Sequence, residues 1–330
     1  MAIKYKWLAG RLREQLSSYA AQNKNRLPTE AQISQRYQVS RQTVRQALAV
    51  LEQEGLITRR QGSGSYLTGR TVQGQNTIAL LPFDDSDYIY PALLHDMRKI
   101  FAQNGFSVQV HPTGNTFAGE RACLEELLCT PPRALLIEGV KTAFANPNID
   151  RLRALLKKSC PIVFFGGSYP QLSACPCIAR DDFGGACLLT RHLIGLGHTA
   201  IGSLFPADLG TGQERYQGMV HTLLENGLFP DDSVTGWYLS DDPSYALQKA
   251  AQGMFSSCTA VLCYDDRIAY PLSRSLTIPV FSFDHSYLCS FGTNPFVSLT
   301  EPTLGTAAAQ TVVDLLKGIP APSRKLSWSL

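Results

Sequence analysis

No run in the 330 residues approaches the roughly 20 consecutive apolar residues that a membrane span requires. Familiar catalytic signatures are missing too. There is no Gly-x-x-x-x-Gly-Lys phosphate cradle, no His-Glu-x-x-His and no Gly-x-Ser-x-Gly elbow. Cysteine is absent from the first hundred residues. The nine that follow lack the C-x-x-C spacing of zinc or thioredoxin sites, since the closest pair is Cys175-Pro176-Cys177. A disulfide-stapled miniprotein is excluded by length, and neither a metal nor a cofactor is expected. Met1 to Lys6 run straight into charged sequence, so the expectation is a cytoplasmic chain without a signal peptide, its thiols reduced and several of them buried.

Net charge is also small, at +3, but it is unevenly spread. Residues 1–70 carry 12 Lys and Arg against 4 Asp and Glu, whereas residues 71–330 carry 18 against 23. An ordinary basic surface could have the first balance. A basic head before a mildly acidic body also fits a nucleic-acid-binding module on a separate domain.

Within the head, Trp7, Leu8, Leu12 and Leu16 recur at helical spacing over residues 5–20. Thr29 and Gln32 have the spacing of a capping box, and Ile33 and Tyr37 of the helix that follows point inward. Ser40 caps a further helix over 41–51 in which Val44, Leu48 and Leu51 share one face. Arg41, Gln42 and Arg45 fall on the other. Arginine can grip guanine bidentately and glutamine suits adenine, so that face fits a recognition helix. Residues 56–68 read as a β-hairpin with a glycine-rich tip, where Arg59, Arg60 and Gln61 supply donors.

Residues 71–76 are polar and aperiodic, a linker between a head at 1–70 and a body at 77–330. The body alternates short apolar runs with amphipathic segments. Strands are predicted at 77–82, 106–110, 134–137, 161–165, 177–179, 200–204, 235–239, 260–263 and 279–282. Helices are predicted near 90–103, 119–128, 149–158, 183–195, 212–226, 243–256 and 303–317. This is an α/β pattern of doubly wound parallel sheets, and its length favours two lobes around one cleft. Ligands of such sheets bind beyond the carboxyl ends of the strands, which selects Asp84 to Tyr90, Glu138, Asp265 and Asp284.

Pro28-Thr29-Glu30, Val39 to Leu48, Leu51-x-x-x-Gly55-Leu56-Ile57 and Gln61-Gly62-Ser63-Gly64 resemble the GntR-type bacterial regulators over residues 4–68. The resemblance implies a winged helix-turn-helix that binds double-stranded operator DNA. Base and phosphate contacts fall to Arg41, Thr43 and Arg45, a contact near Glu30, and minor-groove entry to Gln61, Gly62 and Gly64. Lys4, Ser40, Gln42 and Arg59 complete the set. Asp182 to Ala186, His192 to Gly202, Arg215 to Gly218, Thr259 to Asp266 and Phe283-Asp284-His285 resemble LacI-type effector domains, whose fold is that of two-lobed periplasmic sugar-binding proteins.

The pairing of these two modules resembles the arabinose repressors. So do Ser86 to Pro91, Leu136-Ile137-Glu138, Lys141-Thr142-Ala143, Asn146 to Ile149, Gly167-Ser168-Tyr169 and Thr211-Gly212-x-x-Arg215. The resemblance implies a homodimeric repressor released by a monosaccharide, with L-arabinose the leading candidate. Another pentose, a hexose or an oligosaccharide are alternatives, as is a sugar-acting enzyme with an accessory head. Sugar hydroxyls want carboxylate acceptors (Asp87, Glu138, Asp265, Asp284) and cationic donors (Lys141, Arg215), with aromatic walls (Tyr88, Tyr90) for the C–H face. His285 is a further candidate. Three positions depart from the family. Gly166 stands where Asn or Asp is usual, Asp265 stands where Asn is usual, and the 266–284 segment is short, so one crossover helix is expected to be cut back. Cys177 and His192 could form a nucleophilic pair, though packing explains both.

Overall fold

The computed structural model describes residues 2–21, 26–53, 56–60, 64–67, 76–291, 297–300 and 303–330. Contacts divide the chain into two units, Met1–Thr77 and Ile78–Leu330.

In the first unit α1 (Ala2–Ala21), α2 (Glu30–Tyr37) and α3 (Arg41–Gln53) precede an antiparallel pair, β1 (Ile57–Arg60) and β2 (Gly64–Leu67). Leu8, Leu12 and Leu16 of α1 pack on Ile33, Val44, Leu48, Leu51 and Ile57 in one apolar core. Trp7 departs from the expected inward face: it is half exposed and meets the edge of Tyr37, at 6.1 Å between ring centroids. The capping box at α2 is complete, since Thr29 N–H donates to Gln32 Oε1 (2.9 Å) and Gln32 N–H donates to Thr29 Oγ1 (3.3 Å). Gln38 ends α2 in the left-handed region (φ 50°), and Ser40 Oγ accepts from Thr43 N–H (3.2 Å) to start α3. A sharp turn between two capped helices is the geometry of a helix-turn-helix.

The second unit holds two parallel sheets. Lobe one contains β3 (Thr77–Leu81), α4 (Tyr90–Gln103), β4 (Ser107–Val110), α5 (Phe117–Cys129), β5 (Ala134–Glu138), α6 (Ile149–Lys157), β6 (Ile162–Phe165) and β7 (Cys177–Arg180). Lobe two contains α7 (Asp182–Gly195), β8 (Ile201–Pro206), α8 (Gly210–Glu225), β9 (Thr235–Tyr238), α9 (Ser244–Lys249), β10 (Ala260–Cys263), α10 (Asp266–Ser275), β11 (Val280–Asp284) and β12 (Val297–Thr300). The chain then returns to lobe one as α11 (Leu304–Leu316) and β13 (Arg324–Leu326). Strand orders are β13-β7-β6-β5-β3-β4 and β12-β11-β10-β8-β9. Each sheet is covered on both faces. In lobe one α4 and α11 lie over one face and α5 and α6 over the other; in lobe two α9 and α10 oppose α7 and α8. Burial on both faces explains why β3, β6, β8 and β10 are buried throughout.

The backbone passes between the lobes three times, after Arg180, after Thr300 and after Leu326. Beyond the last crossing, Trp328 packs in the lobe-two core, 5.2 Å from Phe283. Two motif glycines build this packing. A Cβ at Gly185 would lie 2.3 Å from Trp328 Cδ1, and one at Gly218 would lie 2.3 Å from the Phe183 carbonyl, so glycine at 185 lets Trp328 seat against α7 and glycine at 218 lets α8 approach α7.

Three elements escaped the sequence pattern. The segment α10 is polar on one side and carries Pro271, while β12 and β13 are short. The helix predicted over 243–256 is α9 followed by a π-type turn, which Gly253 interrupts at φ 96°.

Candidate functional site

The lobes enclose a cavity of about 340 Å³ at the carboxyl ends of β3, β5, β7, β8, β9, β10 and β11. Six of the nine cleft residues predicted from sequence line it: Tyr88, Tyr90, Glu138, Arg215, Asp265 and Asp284. The other three do not. Asp87 is exposed and accepts from Tyr88 N–H and the Tyr287 hydroxyl. His285 is exposed at φ 46°, and its N–H donates to Ser298 Oγ (2.8 Å). Lys141 leaves the cavity to bridge the lobes, with Nζ 2.9 Å from Asp241 Oδ2 and 3.3 Å from Asp208 Oδ2.

Several lining carboxylates and cations are already satisfied by the protein. Asp265 Oδ1 caps α10 by accepting from Ile268 N–H (3.0 Å), while Oδ2 takes Arg267 Nε and Nη2 at 3.1 and 2.9 Å. Arg215 is 1% exposed. It donates to Asp182 Oδ1 through Nε (2.7 Å) and to the Tyr264 carbonyl through Nη1, and its guanidinium sits 4.0 Å from the Phe283 ring centroid and 4.3 Å from that of Tyr264. Burial pushes the Asp182 carboxyl up and the arginine pulls it back down, while Asp182 holds the Arg215 charge in place. Asp84 is used locally, accepting from Asp85 N–H and Ser86 N–H to shape the loop after β3.

Two acceptors remain. Glu138 Oε2 takes Phe83 N–H at 2.9 Å, but among the described residues Oε1 has only a long contact of 3.5 Å from the Tyr90 hydroxyl. Desolvation raises its carboxyl to about 7, against the backbone donor and Arg180, which favour the charged form. Asp284 Oδ2 accepts from Tyr88, whereas Oδ1 is buried with no hydrogen-bond partner among the described residues. Tyr90, Tyr238 and Tyr264 add aromatic surface, and Asn115, Arg180 and Ser240 add polar groups to the wall. Tyr238, Tyr264, Asn115, Arg180, Ser240 and Arg267 were not singled out from sequence. The strand-end rule could have found them, because Arg180 and Tyr238 end strands, Asn115, Ser240 and Tyr264 follow strands, and Arg267 lies in the first turn of the helix after β10.

Asp266 is wholly buried and takes hydrogen bonds from Ser282 Oγ, Ser298 Oγ (2.7 Å) and Ser286 N–H (2.6 Å), tying the ends of β10, β11 and β12 together. Glu120 plays the same part in lobe one, accepting from Tyr169 Oη (2.6 Å), Asn146 Nδ2 (2.7 Å) and Asn148 Nδ2 (2.8 Å). The sequence motifs at 146–149 and 167–169 therefore build the 139–148 loop that carries Lys141. Gly166 lies beside Glu138: a Cβ there would meet Glu138 Oε1 at 3.5 Å.

On the head, Arg41, Gln42 and Arg45 project from α3 into solvent, and Lys4 and Ser40 are exposed as well. Thr43 is half-buried against Ser40. Glu30 accepts from Arg45 Nε (2.8 Å) and Arg59 Nη2 (2.9 Å), which joins the start of α2, the exposed face of α3 and β1. Gly64 begins β2 at φ 110°. Gln61 and Gly62 lie outside the described residues. The nine cysteines are unpaired, and burial raises the Cys177 thiol above its ordinary range, which keeps it protonated.

Residues 72–277 match the family described as periplasmic binding proteins and sugar binding domain of LacI family, and residues 4–67 match the bacterial regulatory proteins of the gntR family. The first match spans more than half of the chain. The chain belongs to the LacI-type sugar-binding family. Two curated relatives combine with this result. An arabinose metabolism transcriptional repressor of Geobacillus stearothermophilus is 29% identical over 314 residues, covering 88% of this chain and 85% of the relative. One of Halalkalibacterium halodurans is 26% identical over 341 residues, covering 96% and 90%. Among solved structures, a transcriptional regulator in complex with cellobiose (CelR) superimposes with a TM-score of 0.68 at 19% identity, over 92% of this chain and 98% of that one. At that identity the likeness speaks for fold alone. Within the LacI-type frame, the unusual Asp265 is engaged as a helix cap and arginine partner, and the short segment after it is accommodated by a ten-residue α10.

Proposed function

We propose that this chain is a transcription factor that represses sugar-utilisation genes and is released from operator DNA when a monosaccharide fills the body cleft. The observation that carries the reading is the wall of that cleft. It sets two under-used carboxylates, Glu138 and Asp284, among tyrosines in a space of about 340 Å³. Carboxylates accept paired hydroxyl protons and aromatic faces cover C–H surface, so the wall suits a neutral polyol. The volume lies at the small end of ligand pockets, which run from about 300 to 1,000 Å³, and this favours a monosaccharide over an oligosaccharide. The names of the two repressor relatives support L-arabinose as the first sugar to try.

The head at 1–70 acts through Arg41, Gln42, Thr43 and Arg45 in a major groove, aided by Lys4, Glu30, Ser40, Arg59 and the wing residues Gln61, Gly62 and Gly64. A linker at 71–76 joins it to the body at 77–330. A homodimer places two heads on two half-sites of a near-palindromic operator. Among the described residues no helix is long and apolar enough to cross a membrane. The protein works in the cytoplasm, and it is a regulator rather than an enzyme. Effector binding changes operator affinity only to the extent that sugar prefers one arrangement of the lobes.

A thermal-shift screen of pentoses, hexoses and disaccharides, run beside operator release and a turnover assay, tests this reading. The expected result is stabilisation and release by L-arabinose without turnover. Stabilisation by a disaccharide alone would move the effector assignment. Turnover would replace the regulator with an enzyme.

A further inference from the structure

Tyr88 occupies an unusual position for a cleft residue. It belongs to lobe one and sits in the left-handed region at φ 62°, where a bulky side chain is disfavoured. Lobe two holds it at three points. Its hydroxyl donates to Asp284 Oδ2 at 2.7 Å and accepts from Asp266 N–H at 3.1 Å, and the Arg267 guanidinium lies 4.7 Å from its ring centroid. Asp284 is itself at φ 93°, followed by His285 at φ 46°. That strained strand end is braced from beneath by the fully buried Asp266, through Ser282, Ser286 and Ser298. The second oxygen of Asp284 lies on a residue of the cavity wall, buried and without a partner among the described residues. A buried carboxylate oxygen of this kind is costly until a donor satisfies it.

Taken together, these contacts point to one device. We propose that Tyr88 is a positioning residue that couples lobe closure to effector recognition: when the lobes close, its hydroxyl fixes Asp284 through Oδ2, leaving Oδ1 as the acceptor for a sugar hydroxyl. The clasp and the acceptor share one carboxylate, so closing the cleft and completing the site are a single event. Burial, with the adjacent Asp284, pushes the Tyr88 hydroxyl well above its ordinary titration range, so it can donate at neutral pH. The proposal rests on the reading of the cleft as a sugar site.

Two measurements on the full-length protein test it separately from that reading. The first needs no sugar. A double-mutant cycle of Tyr88→Phe and Asp284→Ala, followed by denaturant unfolding of the body, is expected to be non-additive, because each substitution removes the same contact. Additive costs would overturn the clasp. The second follows L-arabinose association and dissociation. Tyr88→Phe keeps the ring over Arg267, so it is expected to raise the dissociation rate about tenfold without slowing association, since the clasp opens to admit the sugar and re-forms over it. An unchanged dissociation rate, or a loss confined to association, would overturn the coupling. If the wild-type chain binds no sugar at all while the unfolding cycle is non-additive, the effector reading fails and the clasp is supported.

Discussion

Arginine meets carboxylate in both units of the chain, with opposite consequences. On the head, Glu30 holds Arg45 and Arg59 at the surface, and the Arg45 side chain is 65% exposed. In the body, Arg215 and Asp182 pair at 2.7 Å with each side chain 1% exposed. The chemistry is the same and the solvent differs. Exposed pairs contribute little to stability and can be exchanged for another anion such as a phosphate. A buried pair is locked, because either charge left alone in the interior is heavily penalised. The head keeps its charges for a partner, whereas the body uses this pair to hold α7, α8 and the end of β10 around the cleft.

The comparison is broken most directly by removing one partner of the buried pair. Asp182→Ala is expected to destabilise the body by about 3–5 kcal/mol, read by urea unfolding, since it strands the Arg215 guanidinium. A loss under about 1 kcal/mol would mean that the tyrosine carbonyl and aromatic rings suffice to hold the cation. For the same reason Arg215→Ala tests fold and effector response together, so a loss of sugar response there needs a stability measurement beside it.

Next in size, Arg45→Ala should weaken operator binding by about 1–3 kcal/mol in a titration at fixed salt, if this side chain reads a base. The head should unfold at nearly the same temperature as before. Unchanged operator affinity would place Arg45 off the recognition face.

The third test concerns a carboxylate that lies between the two extremes. Glu138 is half-buried, and its carboxyl is raised from an ordinary 4.5 to about 7. The folded body therefore holds this proton more tightly than the unfolded chain does. That contribution to stability is fully present below about 4.5 and is lost as pH climbs through about 7. Glu138→Gln should flatten this part of the melting-temperature profile. It should also weaken sugar binding, because an amide accepts less strongly than a carboxylate. A profile identical to the wild type would show that Glu138 is as well solvated in the fold as out of it. Smallest of all, Glu30→Gln is expected to change head stability by no more than about 1 kcal/mol. A larger loss would make the Arg45–Glu30–Arg59 bridge a structural brace and weaken the contrast drawn above.

Most of the architecture was legible in the chain. The capping box at Thr29 and Gln32, the inward stripe of Val44, Leu48 and Leu51, and the alternation of apolar strands with helices are local patterns, and local backbone chemistry and burial period express them directly. Much of the cleft was legible for a related reason, since Glu138, Asp265 and Asp284 end or follow apolar strands, where parallel sheets place their ligands. The elements missed were those whose pattern is set by neighbours rather than by their own period. The short edge strand β13 and the Pro271-containing α10 read as strand and helix only when packed against the rest of their lobes.

Sequence alone determined the charge division, the kinds of element, the likeness to two regulator families and the pool of polar residues at the strand ends. Tertiary structure decided which members of that pool are spent. Asp265 and Arg267 satisfy each other, Arg215 is consumed by Asp182, and Lys141 crosses to Asp208 and Asp241. Among the described residues, the carboxylate oxygens of the cleft wall that stay under-satisfied include one of Glu138 and one of Asp284. The physical reason is that the availability of a polar group depends on its partners, and partners such as Tyr88 and Asp284, 196 residues apart, meet only when two lobes close on each other.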